Sequence, residues 1–250
     1  MPHMVPATRS SGFTVIEVML FLAVSGLMIL GMFVGIGGSI NRQRYEDAVY
    51  SFQDYMQGQY NIVDNVRNNR SEYICQSGAI VQASATATDL EKARGASNCI
   101  IAGQLVTTTD GRQFTSKPVV ATAPSSAYDT AHDEAAFLSS LQLVAVPDEA
   151  ATDIDEYKMA WSTRIQTPDS SDTAQLLIVR MPTSGIVRTY FRTTIVPDLS
   201  GFWTGSMPDE LSLCVEPDGL IGTNPMGVRV LRDAVNANSV QLISAGAGVC

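Results

Sequence analysis

The longest hydrophobic stretch of the chain lies near its N-terminus. From Phe13 to Ile40 there are 28 residues, and Glu17 is the only charged one among them. A helix of about 20 apolar residues spans the hydrocarbon core of a bilayer, so this stretch is long enough to cross a membrane. The sequence therefore predicts a transmembrane helix over residues 13–40, preceded by a polar segment over residues 1–12.

After residue 40 the pattern becomes that of a helix with one apolar face. Apolar residues recur at intervals of three or four, the spacing of one face of an α-helix, and charged residues lie between them. We expect one continuous helix over residues 13–70, apolar on all sides in its first half and amphipathic in its second half. The apolar positions of the second half are Tyr45, Val49, Phe52, Met56, Val63 and Val66.

Beyond residue 70 the pattern is typical of a β-rich domain. β-branched or aromatic segments alternate with turn residues, and an Asp-Gly pair at the end of 107–111 favours a tight hairpin. Segments 157–165, 176–181 and 185–195 predict an antiparallel meander, and 211–215, 227–231 and 240–244 would extend the same sheet. The predicted class is α+β, with a long N-terminal helix packed on an antiparallel β-sheet head over residues 71–250.

Four cysteines follow the hydrophobic stretch, namely Cys75, Cys99, Cys214 and Cys250. An even number in an exported domain indicates two disulfides, for which three pairings are possible. We favour Cys75 with Cys99 and Cys214 with Cys250, which close loops of 24 and 36 positions. A zinc site is the alternative use of such a set, but no Cys-x-x-Cys spacing and no neighbouring histidine supports it.

Charge and composition narrow the function. There are 16 Lys and Arg against 25 Asp and Glu, a formal net charge of −9. This balance argues against a general nucleic-acid-binding protein, because such proteins present a basic surface, and we predict no nucleic-acid partner. Only 16% of the residues are charged, while Ser, Thr, Ala and Gly are abundant, a composition common in extracellular β-rich proteins.

The sequence offers little for catalysis. Apart from His3 in the polar N-terminal segment, His132 is the only histidine, so a histidine-based catalytic or metal site would depend on one residue. No phosphate-binding loop and no Gly-x-Ser-x-Gly elbow occurs, and we expect no enzymatic activity and no cofactor. Residues 148–156 are rich in carboxylates, which calcium prefers, but they lack the ligand spacing of a calcium loop, and we favour a solvated acidic loop.

Glu17 is the unusual residue of the hydrophobic stretch. A carboxylate inside a membrane helix costs about 2.5–3.5 kcal/mol on insertion scales, and no Lys or Arg within residues 13–40 can pair with it. A segment that served only as an anchor would be more stable without this side chain. Either Glu17 interacts with another chain, or it is a tolerated polar residue in an uncleaved signal anchor.

The sequence Gly-Phe-Thr-Val-Ile-Glu over residues 12–17, with a short polar leader before it and a long apolar stretch after it, resembles the N-terminus of a type IV pilin precursor. The resemblance covers only the N-terminal part of the chain, where the motif is highly specific. It implies that a membrane peptidase cleaves between Gly12 and Phe13 and that the new N-terminus of Phe13 is methylated. It also implies that Glu17 pairs with the terminal amine of a neighbouring subunit.

The same resemblance implies a function and a set of partners. The chain would be a structural subunit of a type IV pilus-like filament, polymerising through its N-terminal helix for adhesion, motility or DNA uptake. Its partners would be copies of itself or other pilins, the prepilin peptidase, the membrane platform and the assembly ATPase. It would be a single-pass cytoplasmic membrane protein before assembly and part of an extracellular pilus afterwards.

Two other functions remain open on the sequence. One is a pseudopilin of a type II secretion or competence apparatus, which would also polymerise. The other, of a different class, is a membrane-anchored binding domain that does not polymerise. Assembly into surface filaments distinguishes a pilus subunit from both of these.

Four glycines lie near the end of the hydrophobic stretch: Gly31, Gly35, Gly37 and Gly38. Each costs about 1 kcal/mol in helix propensity relative to Ala. Pilins commonly carry a helix-breaking proline near this depth, whereas this chain has Val34 there. Two hypotheses follow: either the helix stretches or partly unwinds here in a filament, or the glycines let neighbouring helices approach closely while the helix stays intact.

Overall fold

The structure is a computed structural model that describes residues 12–65, 73–75, 81–83, 100–122, 142–146, 154–181, 184–202, 209–219, 224–231, 234–244 and 250. Within these ranges the chain forms one long α-helix and twelve strands, and every strand pairing is antiparallel. The predicted α+β class is therefore confirmed. The elements are α1 Val15–Asp64, β1 Tyr73–Cys75, β2 Val81–Ala83, β3 Ile100–Thr108, β4 Gln113–Thr122, β5 Gln142–Ala145, β6 Asp155–Lys158, β7 Arg164–Gln166, β8 Ala174–Arg180, β9 Val187–Arg192, β10 Glu210–Glu216, β11 Met226–Leu231 and β12 Val240–Ser244.

α1 is continuous and has two halves of different character. Up to residue 40 nearly every side chain is exposed, including the large apolar ones, and this half is long and apolar enough to cross a membrane. From Tyr45 to Val63 one apolar face is buried against the head, as the three- and four-residue spacing predicts. The helix ends at Asp64, earlier than the predicted end at residue 70, and the N–H of Asn65 donates to the carbonyl of Asn61 at 3.0 Å.

The larger sheet has the strand order β5-β4-β3-β8-β9, and β6 also pairs with β4. β3 and β4 form the hairpin that the Asp-Gly pair predicts, with Gly111 at a positive φ of 65°. Asp110 holds this turn by accepting from the N–H groups of Arg112 and Gln113, each at 2.9 Å. These contacts, that of Gln113 foremost, lower the pKa of the Asp110 carboxyl.

A second sheet of four strands has the order β12-β11-β10-β7, and β1 pairs with β2 apart from both. The strands predicted at 211–215, 227–231 and 240–244 are present as β10, β11 and β12. They build this second sheet rather than extending the first, because β10 pairs with β7 and β11 rather than with a strand of the larger sheet. The predicted single sheet is therefore wrong.

The strand predicted over residues 157–165 is divided into two. Trp161 and Ser162 have positive φ angles of 55° and 60°, which turn the chain within a 3₁₀ segment, Ala160–Ser162. β6 before the turn joins the larger sheet, and β7 after it joins the smaller one. Only β8 and β9 of the predicted meander pair directly with each other.

Two clusters of buried residues lie in the described part of the head. The first joins α1 to both sheets; its ring contacts include Phe52 against Phe114, with centroids 4.9 Å apart, and Tyr55 stacked on Tyr157 at 4.4 Å. The second includes Leu177 from β8. Because β8 contributes alternate side chains to the two clusters, it is buried on both sides, and α1 is part of the fold of the head.

Truncating the α1 face should destabilise the head. Phe52 is fully buried while Tyr50, two residues away, is half-exposed. We expect Phe52→Ala to lower the free energy of unfolding by about 3–5 kcal/mol, because it leaves a cavity between α1 and the sheets. Tyr50→Ala should change it by less than about 0.5 kcal/mol. Urea unfolding of the full chain in detergent measures both, and equal effects would contradict this account of the core.

Candidate functional site

The first turn of α1 holds Glu17 in a capping box. The Glu17 N–H donates to Thr14 Oγ1 at 3.3 Å, while the Thr14 N–H and hydroxyl both lie 3.2 Å from Glu17 Oε2. Each side chain thereby satisfies a backbone donor that the helix end leaves unpaired. The Glu17 carboxylate also lies at the positive end of the helix dipole, which favours a negative charge there.

The capping box revises how the carboxylate was interpreted from the sequence. In the single chain Glu17 does not lack hydrogen-bond donors, because Thr14 supplies two, although no basic side chain neutralises it within residues 13–40. The signal was present in the sequence as Thr-x-x-Glu directly before an apolar run, and our sequence analysis missed Thr14 as a functional residue.

The surface next to this turn is a long apolar cylinder. Phe13 is 85% exposed, and side chains on all sides of the helix up to Ile36 are similarly open. The four glycines of the 31–38 cluster lie within the continuous helix, and an added Cβ at any of them would meet nothing within 4 Å. The helix is thus intact through the cluster in the single chain, and the two hypotheses about a filament stay predictions.

Tyr45 marks the point where this exposed half meets the head. Its side chain is buried, and its hydroxyl lies 2.7 Å from the carbonyl of Val215 and 2.8 Å from the N–H of Met226, which donates to it. Burial raises the pKa of the Tyr45 phenol, which keeps it protonated and able to donate to a carbonyl. One side chain thus connects α1 to the ends of β10 and β11.

A second tyrosine fixes the other end of the buried face. The hydroxyl oxygens of Tyr60 and Thr189 are 2.7 Å apart, and Thr189 donates onward to the carbonyl of Ala234 at 3.0 Å. Burial raises the pKa of the Tyr60 phenol. Since hydrogen-bonded groups orient a side chain more strictly than apolar contacts do, Tyr45 and Tyr60 set the position of α1 along the sheets.

A buried amide strengthens the middle of the interface. Gln59 is 1% exposed; its Oε1 accepts from the Ser116 hydroxyl at 2.6 Å, and its Nε2 donates to Asp155 Oδ2 at 3.0 Å. Both polar ends of the side chain are therefore satisfied, as a buried amide requires. Asp155 belongs to the predicted acidic cluster, and it contacts the helix here. The remainder of that cluster lies largely outside the described residues.

The C-terminal disulfide is present as predicted. Cys214 in β10 is bonded to Cys250, with Cα atoms 5.4 Å apart. Gly227 lies beside the bridge, and a Cβ there would come within 2.5 Å of the Leu213 carbonyl oxygen and 3.0 Å of Cys250 Sγ. Only glycine fits this approach of β11 to the bridge. The bridge ties the last residue to the sheet that receives Tyr45.

Some of the predicted site residues lie outside the residues that the structure describes. Cys99 and His132 lie outside the described residues, and Cys75 is described only as part of the backbone of β1. Among the residues that the structure describes, no three His, Cys, Asp or Glu side chains come together as a metal site would require. The prediction that Cys75 pairs with Cys99 and the prediction about calcium are therefore not tested.

Comparison with known proteins does not assign the chain to a family. No protein-family model, no curated protein and no solved structure matches the chain. What can be inferred about function therefore rests on the residues and their geometry.

Removing the cap should loosen the first turn of α1. Thr14→Val keeps the shape of the side chain but loses the hydroxyl, and losing an N-cap costs about 1 kcal/mol. We expect amide hydrogen exchange at residues 15–18 to be about fivefold faster in the full chain in detergent micelles, since 1.4 kcal/mol is tenfold. Thr14→Ser, which retains the hydroxyl, is the control. Unchanged exchange in Thr14→Val would show that the box contributes nothing.

Proposed function

We propose that the chain is a pilin-like structural subunit of a type IV pilus-like filament and that it polymerises through the exposed half of α1. The observation that carries the proposal is the position of Glu17. It is the only charged residue between Phe13 and Ile40, the apolar half of α1, which is exposed on all sides. It also lies within five residues of the predicted cleavage point after Gly12. An anchor alone would need the apolar surface but not the carboxylate.

The shape of the chain supports this function. Polymerisation through a helix requires an apolar surface that the head leaves free and a head that is fixed relative to that surface. The half of α1 up to residue 40 is exposed, while the face from Tyr45 to Val63 is buried on two sheets. Apolar halves of many copies would bury one another in a central bundle, with the heads outside.

The capping box can coexist with the proposed pairing of Glu17 with a neighbouring subunit. In the single chain the Glu17 carboxylate accepts from the Thr14 N–H and hydroxyl. A neighbour's terminal amine at Phe13 would bring a full positive charge to the same carboxylate, which the neutral N–H and hydroxyl of Thr14 do not supply. The two contacts are compatible, because an ionised carboxylate accepts at both of its oxygens.

The proposal includes a location and partners. Before assembly α1 would hold the chain in the cytoplasmic membrane with the head outside the cytoplasm, where disulfides form; afterwards the chain would be part of an extracellular filament. It would meet the prepilin peptidase at Gly12, then the membrane platform driven by the assembly ATPase, and then copies of itself or other pilins. The pseudopilin function shares all of this except the extracellular filament.

The mature N-terminus tests the first step. In cells that contain the peptidase we expect the chain to begin at Phe13 and to carry one added methyl group on its amine, as read by mass spectrometry of the intact protein. A Gly12→Leu variant should retain its leader, because a bulky residue replaces the small one at the cut. An intact N-terminus in the unchanged chain would remove the pilin assignment.

Assembly tests the role of Glu17. We expect Glu17→Ala to abolish incorporation into sheared surface filaments, at least tenfold below the unchanged chain, while membrane insertion is retained. Thr14→Val separates the two contacts, because it removes the cap but leaves the carboxylate, and it should still assemble. Glu46→Ala, a carboxylate beyond the apolar half, is the matched control. Normal filaments from Glu17→Ala would contradict the pairing.

A further inference from the structure

A strained and half-exposed tryptophan lies beside α1 just beyond its apolar half. Trp161 has a φ of 55° and Ser162 a φ of 60°, a conformation that bulky residues rarely adopt and that costs about 1–3 kcal/mol for each residue. Trp161 remains 48% exposed, so burial of the indole does not account for the strain. Strain of this kind persists only where the surrounding structure over-determines the conformation, and such positions cluster at functional sites.

Two contacts fix the direction of the indole, and two hydrogen bonds close the turn that carries it. Its Nε1 donates to Asp47 Oδ2 at 2.9 Å, and the Arg44 guanidinium carbon lies 4.8 Å from the ring centroid. The turn itself is closed by Thr163, whose N–H and hydroxyl donate to the carbonyl of Ala160 at 3.1 and 2.7 Å. The open part of the ring is thereby held next to residues 44–47 of the helix.

The length of the apolar half places this level relative to a membrane. From Glu17 to Ile40 the helix rises about 35 Å at 1.5 Å per residue, which with a modest tilt matches a hydrocarbon core of about 30 Å. Arg44 and Asp47 lie roughly 6–10 Å further along the axis. The level of Arg44 falls in the headgroup layer, which adds about 5–7 Å on each side of the core, and the level of Asp47 lies just beyond this layer.

We infer that, before assembly, the head lies directly on the membrane, with Trp161 inserted in the phospholipid headgroup layer. The inference rests on the proposed function, because it requires α1 to cross the membrane. An indole is suited to this layer, since it presents an apolar ring and a polar N–H, and tryptophans are enriched there. A lipid surface is the partner that fits, because Trp161 lies at the level where the apolar half of α1 ends.

The charges around Trp161 indicate which lipid surface it fits. Arg42 is paired with Glu46 at 2.9 Å on an exposed part of the helix, and Arg44 and Asp47 both contact the indole. On this part of α1 the two positive and two negative side chains suit a zwitterionic headgroup, which carries both charges itself. The head should therefore rest on phosphatidylcholine without needing anionic lipid.

This position has a consequence for both ends of the helix. With Ile40 at one boundary of the hydrocarbon core, Glu17 reaches the opposite boundary and the bond between Gly12 and Phe13 lies in the headgroup layer beyond it. The carboxylate then avoids the centre of the membrane, where its cost is greatest.

Depth-dependent fluorescence quenching tests the inference. The full chain with Trp203→Phe, which leaves Trp161 as the only tryptophan, is reconstituted in phosphatidylcholine vesicles brominated at the 6,7 or the 11,12 acyl positions. We expect emission to fall at least twofold with 6,7-bromination and less with 11,12-bromination, because Trp161 lies near the surface. The difference between the unchanged chain and Trp161→Phe reports the same residue if Trp203→Phe does not fold.

A matched variant moves the head away from the membrane. Seven residues of Gln, Lys and Ala inserted after Ile40 add nearly two helical turns and about 10 Å, and they should restore emission to its value in unbrominated lipid. Equal emission of Trp161 in brominated and unbrominated vesicles, with the chain floating with the vesicles, would overturn the inference and leave the proposed function standing. A chain that does not float with them would overturn the membrane segment itself.

Discussion

The burial of one face of α1 against two sheets is the interaction on which the rest of the structure depends. Residues of both sheets pack with the buried face of α1 in the first hydrophobic cluster, so the helix joins the two sheets. Three buried polar side chains along this face, Tyr45, Gln59 and Tyr60, have hydrogen-bond partners in the head. They set the helix at one position along the sheets, whereas apolar contacts alone would tolerate sliding.

Because this position is fixed, the exposed half of α1 can orient the head. A hydrophobic helix joined to the head by a mobile linker could anchor a protein, but it would not orient it. Here the same helix continues from the apolar half into the core without a break, so the orientation of the head follows that of the apolar half. A filament or a membrane that holds the apolar half of α1 therefore also sets the orientation of the head.

Much of the helix was predictable from the sequence, and the arrangement of strands was not. The spacing of apolar residues and the composition identified both halves of α1. The residues on its buried face were predicted correctly within the described part of the helix, because local spacing determines which residues share a helix face. The division of 157–165 into β6 and β7 was missed because Trp161 and Ser162 adopt positive φ angles that non-glycine residues seldom show. Strand partners depend on contacts distant in sequence, so the second sheet could not be deduced. At the candidate site, Glu17 was found from its charge, while Thr14 was overlooked although its spacing to Glu17 marks a capping box.

The junction at Tyr45 also determines how the chain would respond to a pulling force along α1. Because the helix lies along the sheets, such a force acts in shear and loads many contacts together instead of opening them one at a time. The first strands to receive it are β10 and β11, whose ends Tyr45 contacts at Val215 and Met226. The covalent bond from Cys214 to Cys250 lies one residue from Val215, so the strand that takes the load first is also held by a covalent crosslink.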